Sequence, residues 1–144
     1  IIGIILLFTF SFLSSNAQRI WYVDAEQNMG NGTSWADATW DLQQAIDSAQ
    51  AGDTIWVTRG IYKPTSETFR GNTLRDQTLL LNKNIHIFGG FSGGETKLEQ
   101  RDWVQNQSIL SGLLNSTDKA YHVITILGQS SYAITDLHID GFMI

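Results

Sequence analysis

Five short β-forming segments, each closed by glycine, constrain the fold of this chain more than any other feature. Ile55-Trp-Val57 runs to Gly60, Ile85-His-Ile87 to Gly89-Gly90, and Ser108-Ile-Leu110 to Gly112. Tyr121–Leu127 ends at Gly128, and Leu137-His-Ile139 at Gly141. In an extended chain, alternate side chains share a face, so each apolar pair two residues apart points to one side. The segments are too far apart for two-residue hairpins, and parallel pairing suits their separation better. Their intervals are uneven but fall in the range of solenoid repeats, so a degenerate repeat is expected.

The segment before this series reads differently. Ile20-Trp-Tyr-Val23 is a strand pattern, followed by turn-forming residues over 24–34. Thr39 then stands where a helix cap belongs, with Asp41 in the first turn. Leu42, Ala45, Ile46 and Ala49 follow at the i, i+3, i+4, i+7 spacing of one apolar helix face, and Gly52 closes the run. A stack of short strands has open edges that invite aggregation. The expectation is an N-terminal amphipathic capping helix laid across one of them.

Residues 1–13, IIGIILLFTFSFL, carry no charge and are too short for a membrane span, which needs ~20 apolar residues. With Ser15 and Ala17 as small residues before a cut at Gln18, residues 1–17 read as a signal peptide that lacks its charged leading region. All 23 charged residues follow that cut, which supports export to the cell surface or the medium and no membrane insertion of the mature chain. The mature segment, 18–144, reads as the N-terminal part of a longer domain, since the chain stops inside the apolar run Gly141-Phe-Met-Ile144. No cysteine is present, which removes disulfides, thiolate metal sites, a cysteine nucleophile and a lipoprotein anchor together. A net charge of −5 argues against nucleic acid as a partner.

A resemblance runs through the mature chain. Ile20-Trp-Tyr-Val-Asp24, Asn31-Gly-Thr-Ser-Trp35, Leu42-Gln-Gln-Ala-Ile46 and Ala51-Gly-Asp-Thr-Ile-Trp-Val57 with Gly60-Ile-Tyr62 carry its first half. Phe88-Gly-Gly-Phe91, Gln100-Arg-Asp-Trp103, Ile109-Leu-Ser-Gly112, Tyr121-His-Val123 and Leu137-His-Ile-Asp-Gly-Phe142 continue it in order. Together these resemble exported proteins with the pectin-lyase-like fold, of the Bacteroidetes surface-protein type. The resemblance implies an all-β fold, a right-handed parallel β-helix solenoid. It does not carry one function, because that fold hosts lyases, hydrolases, adhesins and passive surface repeats alike.

The candidate chemistry is sparse. Asp24, Glu26, Asn28 and Gly30 faintly resemble a calcium loop. The EF-hand positions for glycine and glutamate hold Met29 and Trp35, so the pattern fails. Gly89–Gly94 lacks the order and the Lys-Ser/Thr ending of a phosphate loop. Asp136, His138 and Asp140 alternate with Leu137 and Ile139 and are expected to share an outer strand face. They form the best candidate cluster for a sugar or a cation, but Asp136 and Asp140 would lie ~13 Å apart along a strand, too far for a glycosidase pair. Trp56, between Ile55 and Val57, is expected to point away from the core, where it either stacks on a sugar ring or packs under a loop. His86 and His122 read as structural, and Arg101-Asp102-Trp103 as a salt-bridged loop anchor. No catalytic set, metal site or cofactor is expected. The leading expectation is a non-catalytic secreted or cell-surface repeat protein, adhesive or contacting a polysaccharide or other surface glycan. The alternatives are a polysaccharide lyase or glycoside hydrolase whose catalytic part lies beyond residue 144, and a scaffold that spaces a further domain.

Overall fold

A computed structural model describes residues 17–67, 71–128 and 133–144. The expected signal peptide therefore lies, except for Ala17, outside the described residues. Among the described residues the strands are β1 (Ile20–Val23), β2 (Thr54–Thr58), β3 (Gly60–Tyr62), β4 (Ser66–Glu67), β5 (Gln77–Leu81), β6 (His86–Phe91), β7 (Ser108–Leu110), β8 (Ile124–Ile126), β9 (His138–Asp140) and β10 (Phe142–Met143), with one α-helix, α1 (Leu42–Ser48). They form three small sheets with strand orders β1-β2-β6-β9, β10-β7-β3 and β4-β5-β8. Pairing is parallel throughout except between β4 and β5.

This corrects the expected fold class. The chain is not an all-β, right-handed parallel β-helix solenoid with a helix across its end. It is a small α/β structure of three sheets, of four, three and three strands, with the helix built into the core. Two physical reasons account for the difference. Leu42, Ala45, Ile46 and Ala49 are 1–3% exposed and belong to the same apolar cluster as Val23, Ile55, Val57, Leu79, Leu81 and Ile87, so the helix is a core layer. The glycine-closed segments also do not repeat one unit. Those beginning near Ile55, Ile85 and Leu137 fall in the four-stranded sheet, whereas Ser108–Leu110 and Ile124–Ile126 belong to the other two.

Local chemistry fixes α1. Its cap is Asp41, not Thr39: the Asp41 carboxylate accepts the Gln43 N–H at 2.8 Å, while the Thr39 hydroxyl accepts the Asp41 N–H at 3.2 Å. At the other end the Lys83 ammonium donates to the carbonyls of Ile46, Asp47 and Ala49 at 2.9–3.1 Å. A cation there satisfies orphan carbonyls and opposes the helix dipole. Gln43 is buried, and its amide accepts the Leu80 N–H and donates to the Leu80 carbonyl, as a neighbouring strand would. This bidentate pairing joins helix to β5 and leaves no buried amide unsatisfied.

The Gly89-Gly90 pair does not end β6. The strand continues to Phe91, and its register against β2 shifts from Trp56↔Phe88 to Thr58↔Phe91, a bulge at the glycines. Gly90 has φ +97°, and a Cβ there would lie 2.8 Å from the Trp103 backbone. The missing side chain thus lets the 101–104 segment lie against the sheet, closed by an Asp102 N–H bond to the Gly90 carbonyl at 2.8 Å.

Candidate functional site

Trp56 does point away from the core formed by Ile55 and Val57, but it does not reach solvent. It is 4% exposed, stacked on Phe91 with ring centroids 4.6 Å apart, and met by Tyr22 and Trp35 at 5.9 and 6.3 Å. The Trp35 indole is tied down in turn by a 2.8 Å bond to the Glu95 carbonyl. Of the two options for Trp56, the structure selects packing under a loop and leaves no free ring face for a sugar.

Glu95 explains the glycine-rich run beside it. Its carboxylate accepts the N–H groups of Ser92, Gly93 and Gly94 at 2.7–3.0 Å, and the Ser92 hydroxyl at 2.8 Å. Burial pushes its pKa up, but these donors outweigh that and bring it down to about 2. Backbone N–H groups that could cradle an external anion are thus filled by the chain's own carboxylate.

Asp136, His138 and Asp140 take three different partners. Strand β9 begins only at His138, and Asp136 lies before it, where the Asn84 side-chain oxygen accepts the N–H groups of Thr135 and Asp136. The Asp136 carboxylate sits 3.0 Å from His86 Nε2, on an exposed surface. His138 pairs with His86 in register across β6 and β9; its ring lies 6.0 Å from that of His86 and 5.4 Å from Phe88. Asp140 forms an ion pair with Arg101. The Arg101 guanidinium holds the Asp140 carboxyl below its ordinary range, so Asp140 is an ionised acceptor rather than a proton donor. Among the described residues, no group of three or more His, Asp or Glu is arranged to hold a metal ion.

The pairing of Asp140 leads to Arg101-Asp102-Trp103, the segment expected to form a salt-bridged loop anchor. The Arg101 guanidinium stands 5.0 Å from the Phe88 ring centroid and 5.0 Å from that of Trp103, so it lies between them. Its side chain is only 12% exposed, whereas Trp103 is 55% exposed. Asp102, expected to share the anchor, instead accepts the N–H groups of Val104 and Gln105 and shapes the turn. Trp103, Gln107, Asp140 and Met143 line an open groove of about 410 Å³. The signal available in the sequence was a Trp two residues from an Arg in a connection, which carries no spatial information until Asp140 is placed opposite.

A larger cleft, about 650 Å³, opens beside Gln18, Arg19, Gln50, Asp53 and Asp136. Its buried carboxylate, Asp53, accepts the N–H groups of Arg19 and Gln50 and the Trp21 indole N–H at 2.9–3.0 Å. Burial raises the Asp53 pKa, yet these donors outweigh it and the net shift is downward. Both Asp53 oxygens are thus engaged in holding the fold together.

Comparison with protein-family models, with curated proteins and with solved structures returned no match. Nothing in those comparisons ties the chain to the pectin-lyase-like proteins.

Proposed function

We propose that this chain is an exported, non-catalytic binding protein of the cell surface or the medium, and that it contacts a glycan through Trp103 and the groove beside it. The observation that carries the reading is an indole that is both solvent-open and held. Trp103 is 55% exposed, while its position is fixed by Arg101, which is wedged against Phe88 and paired with Asp140. An exposed aromatic platform whose geometry is set before binding loses little conformational freedom on meeting a sugar ring. The surrounding acids favour binding over acid–base chemistry: Asp140 is neutralised by Arg101, and Asp136 is directed to His86.

The test is affinity electrophoresis of the chain through gels carrying soluble polysaccharides, followed by titration with the retarding probe. Trp103→Ala is expected to weaken binding about tenfold, the effect of losing one stacking aromatic, and Trp103→Tyr to recover much of it. Urea midpoints should change little, because the ring is half exposed. Retention unchanged in Trp103→Ala would refute this site.

A further inference from the structure

We infer that this surface takes an uncharged, extended polysaccharide rather than an anionic one; the inference rests on the glycan reading of Trp103 given above. The groove at Trp103 is one of two depressions that flank the 103–107 connection. The second, about 550 Å³, has Ile61, Val104 and Ile109 in its lining, and Gln107 lines both. Strands β3, β7 and β10 set Ile61, Ile109 and Met143 in register on one outward row. Ile61 and Met143 are 59% and 51% exposed, and Val104 is 67% exposed. The row crosses two strand spacings, about 10 Å, which is longer than a single sugar ring needs. An aliphatic floor, one indole and the amides of Gln105 and Gln107 offer apolar contact together with both donors and acceptors, which is what the faces and hydroxyls of a sugar require.

The charges decide the class of sugar. Arg101 is matched by Asp140 in an ion pair, and Arg59 in the second depression is accompanied there by Glu26. Asp102, in the turn beside Trp103, adds a negative charge, and the chain as a whole carries −5. Lys63, just past β3, donates to the Leu114 carbonyl and brings the cations here to three, against the three carboxylates of Glu26, Asp102 and Asp140. A carboxylated or sulfated chain would therefore meet no net positive charge on this face and would approach a chain of like overall sign. A neutral chain meets neither cost.

The experiment compares a soluble neutral β-glucan and xylan with polygalacturonate and alginate, using the whole chain, with sedimentation velocity run in the absence of any glycan. The expected result is binding of a neutral probe that changes less than about twofold between ~0.05 and ~0.5 M salt. Ile61→Asp is expected to weaken the polymer about fivefold while leaving a short oligosaccharide of the same sugar less affected, because only the polymer reaches the second depression. Salt-sensitive binding confined to the acidic polymers and lost in Trp103→Ala would overturn the inference and leave the glycan reading of Trp103 standing. Failure to bind any of the four would overturn both. Concentration-dependent self-association abolished by Ile61→Asp, with no glycan retained, would likewise overturn it by assigning the aliphatic row to a protein contact.

Discussion

Asp53 offers the sharpest check on how β1 is held to the rest of the molecule. Its two oxygens accept three N–H groups, from Arg19 at 3.0 Å, Trp21 Nε1 at 3.0 Å and Gln50 at 2.9 Å. They tie the start of β1 to the turn that follows α1. Removing the carboxylate does not cost the three bonds equally. The backbone N–H groups of Arg19 and Gln50 are only part-buried and regain water, about 1 kcal/mol each, whereas the buried Trp21 indole N–H is left without a partner, about 1–2 kcal/mol more. Asp53→Ala is therefore expected to lose about 3–4 kcal/mol in urea unfolding, a large part of the stability of a domain this size. Asp53→Asn keeps the shape but turns one acceptor into a donor. Whichever way the amide lies, it confronts at least one of the three N–H groups, and about 2 kcal/mol should be lost. The pH dependence has a definite sign. The folded pKa is depressed below the unfolded value of 3.8, so the carboxylate's contribution is complete above that value and is lost as pH falls toward the folded one. The gap between the native chain and Asp53→Asn should consequently narrow on acidification below 3.8. A loss under about 1 kcal/mol for Asp53→Ala, or a gap that widens with acid, would refute this account of Asp53.

Two further outcomes follow from groups that the fold uses at its loop and helix ends. Glu95→Gln removes the charge from the Ser92–Gly94 cradle; about 1–2 kcal/mol should go at neutral pH, after allowance for solvent exposure. Since the native pKa is about 2 against an ordinary 4.5, the variant should also lose stability less steeply than the native chain between those values, as acid-unfolding curves would show. Lys83→Met keeps the aliphatic stem but leaves three helix-end carbonyls without their cation, for a loss of about 1 kcal/mol by urea denaturation. An unchanged midpoint would mean that water caps α1 equally well.

What the sequence made legible follows the range of the interactions involved. Strand β1 coincides with Ile20–Val23, and the apolar face of α1 is the one that the Leu42, Ala45, Ile46 and Ala49 spacing picks out. Both rest on periodicity within a few residues. The role of that helix was not legible, because periodicity names a buried face without naming what covers it. Its place in the core depends on Gln43 meeting Leu80 and on Lys83 meeting the helix end, pairings across 34 to 37 residues. The sorting of strands into sheets was equally hidden. Leu110 and Ile87 hold equivalent positions before glycine and both are buried, yet they lie in different sheets, one on β7 beside β3 and the other on β6 beside β2. Strand β5, Gln77–Leu81, lacks the closing glycine that marks the five segments read as strands after α1.

The candidate site shows the same limit from the side of chemistry. Burial alternates over His138, Ile139 and Asp140, but Asp136 precedes the strand, and a shared face is not a shared site. What decides each residue's role is the strand beside it: β6 supplies His86 to Asp136 and sets Phe88 level with Asp140. The bulge that carries β6 through Gly89-Gly90 then lets the 101–104 segment approach, and Arg101 crosses to Asp140 over Phe88. One local feature, a glycine with positive φ and no room for a Cβ, thus positions the exposed indole on which the proposed function rests. The glycine pair was visible from the start as the end of a strand. Its function is to let a strand continue while a second piece of chain lies against it, and only the register of β6 against β2 reveals that.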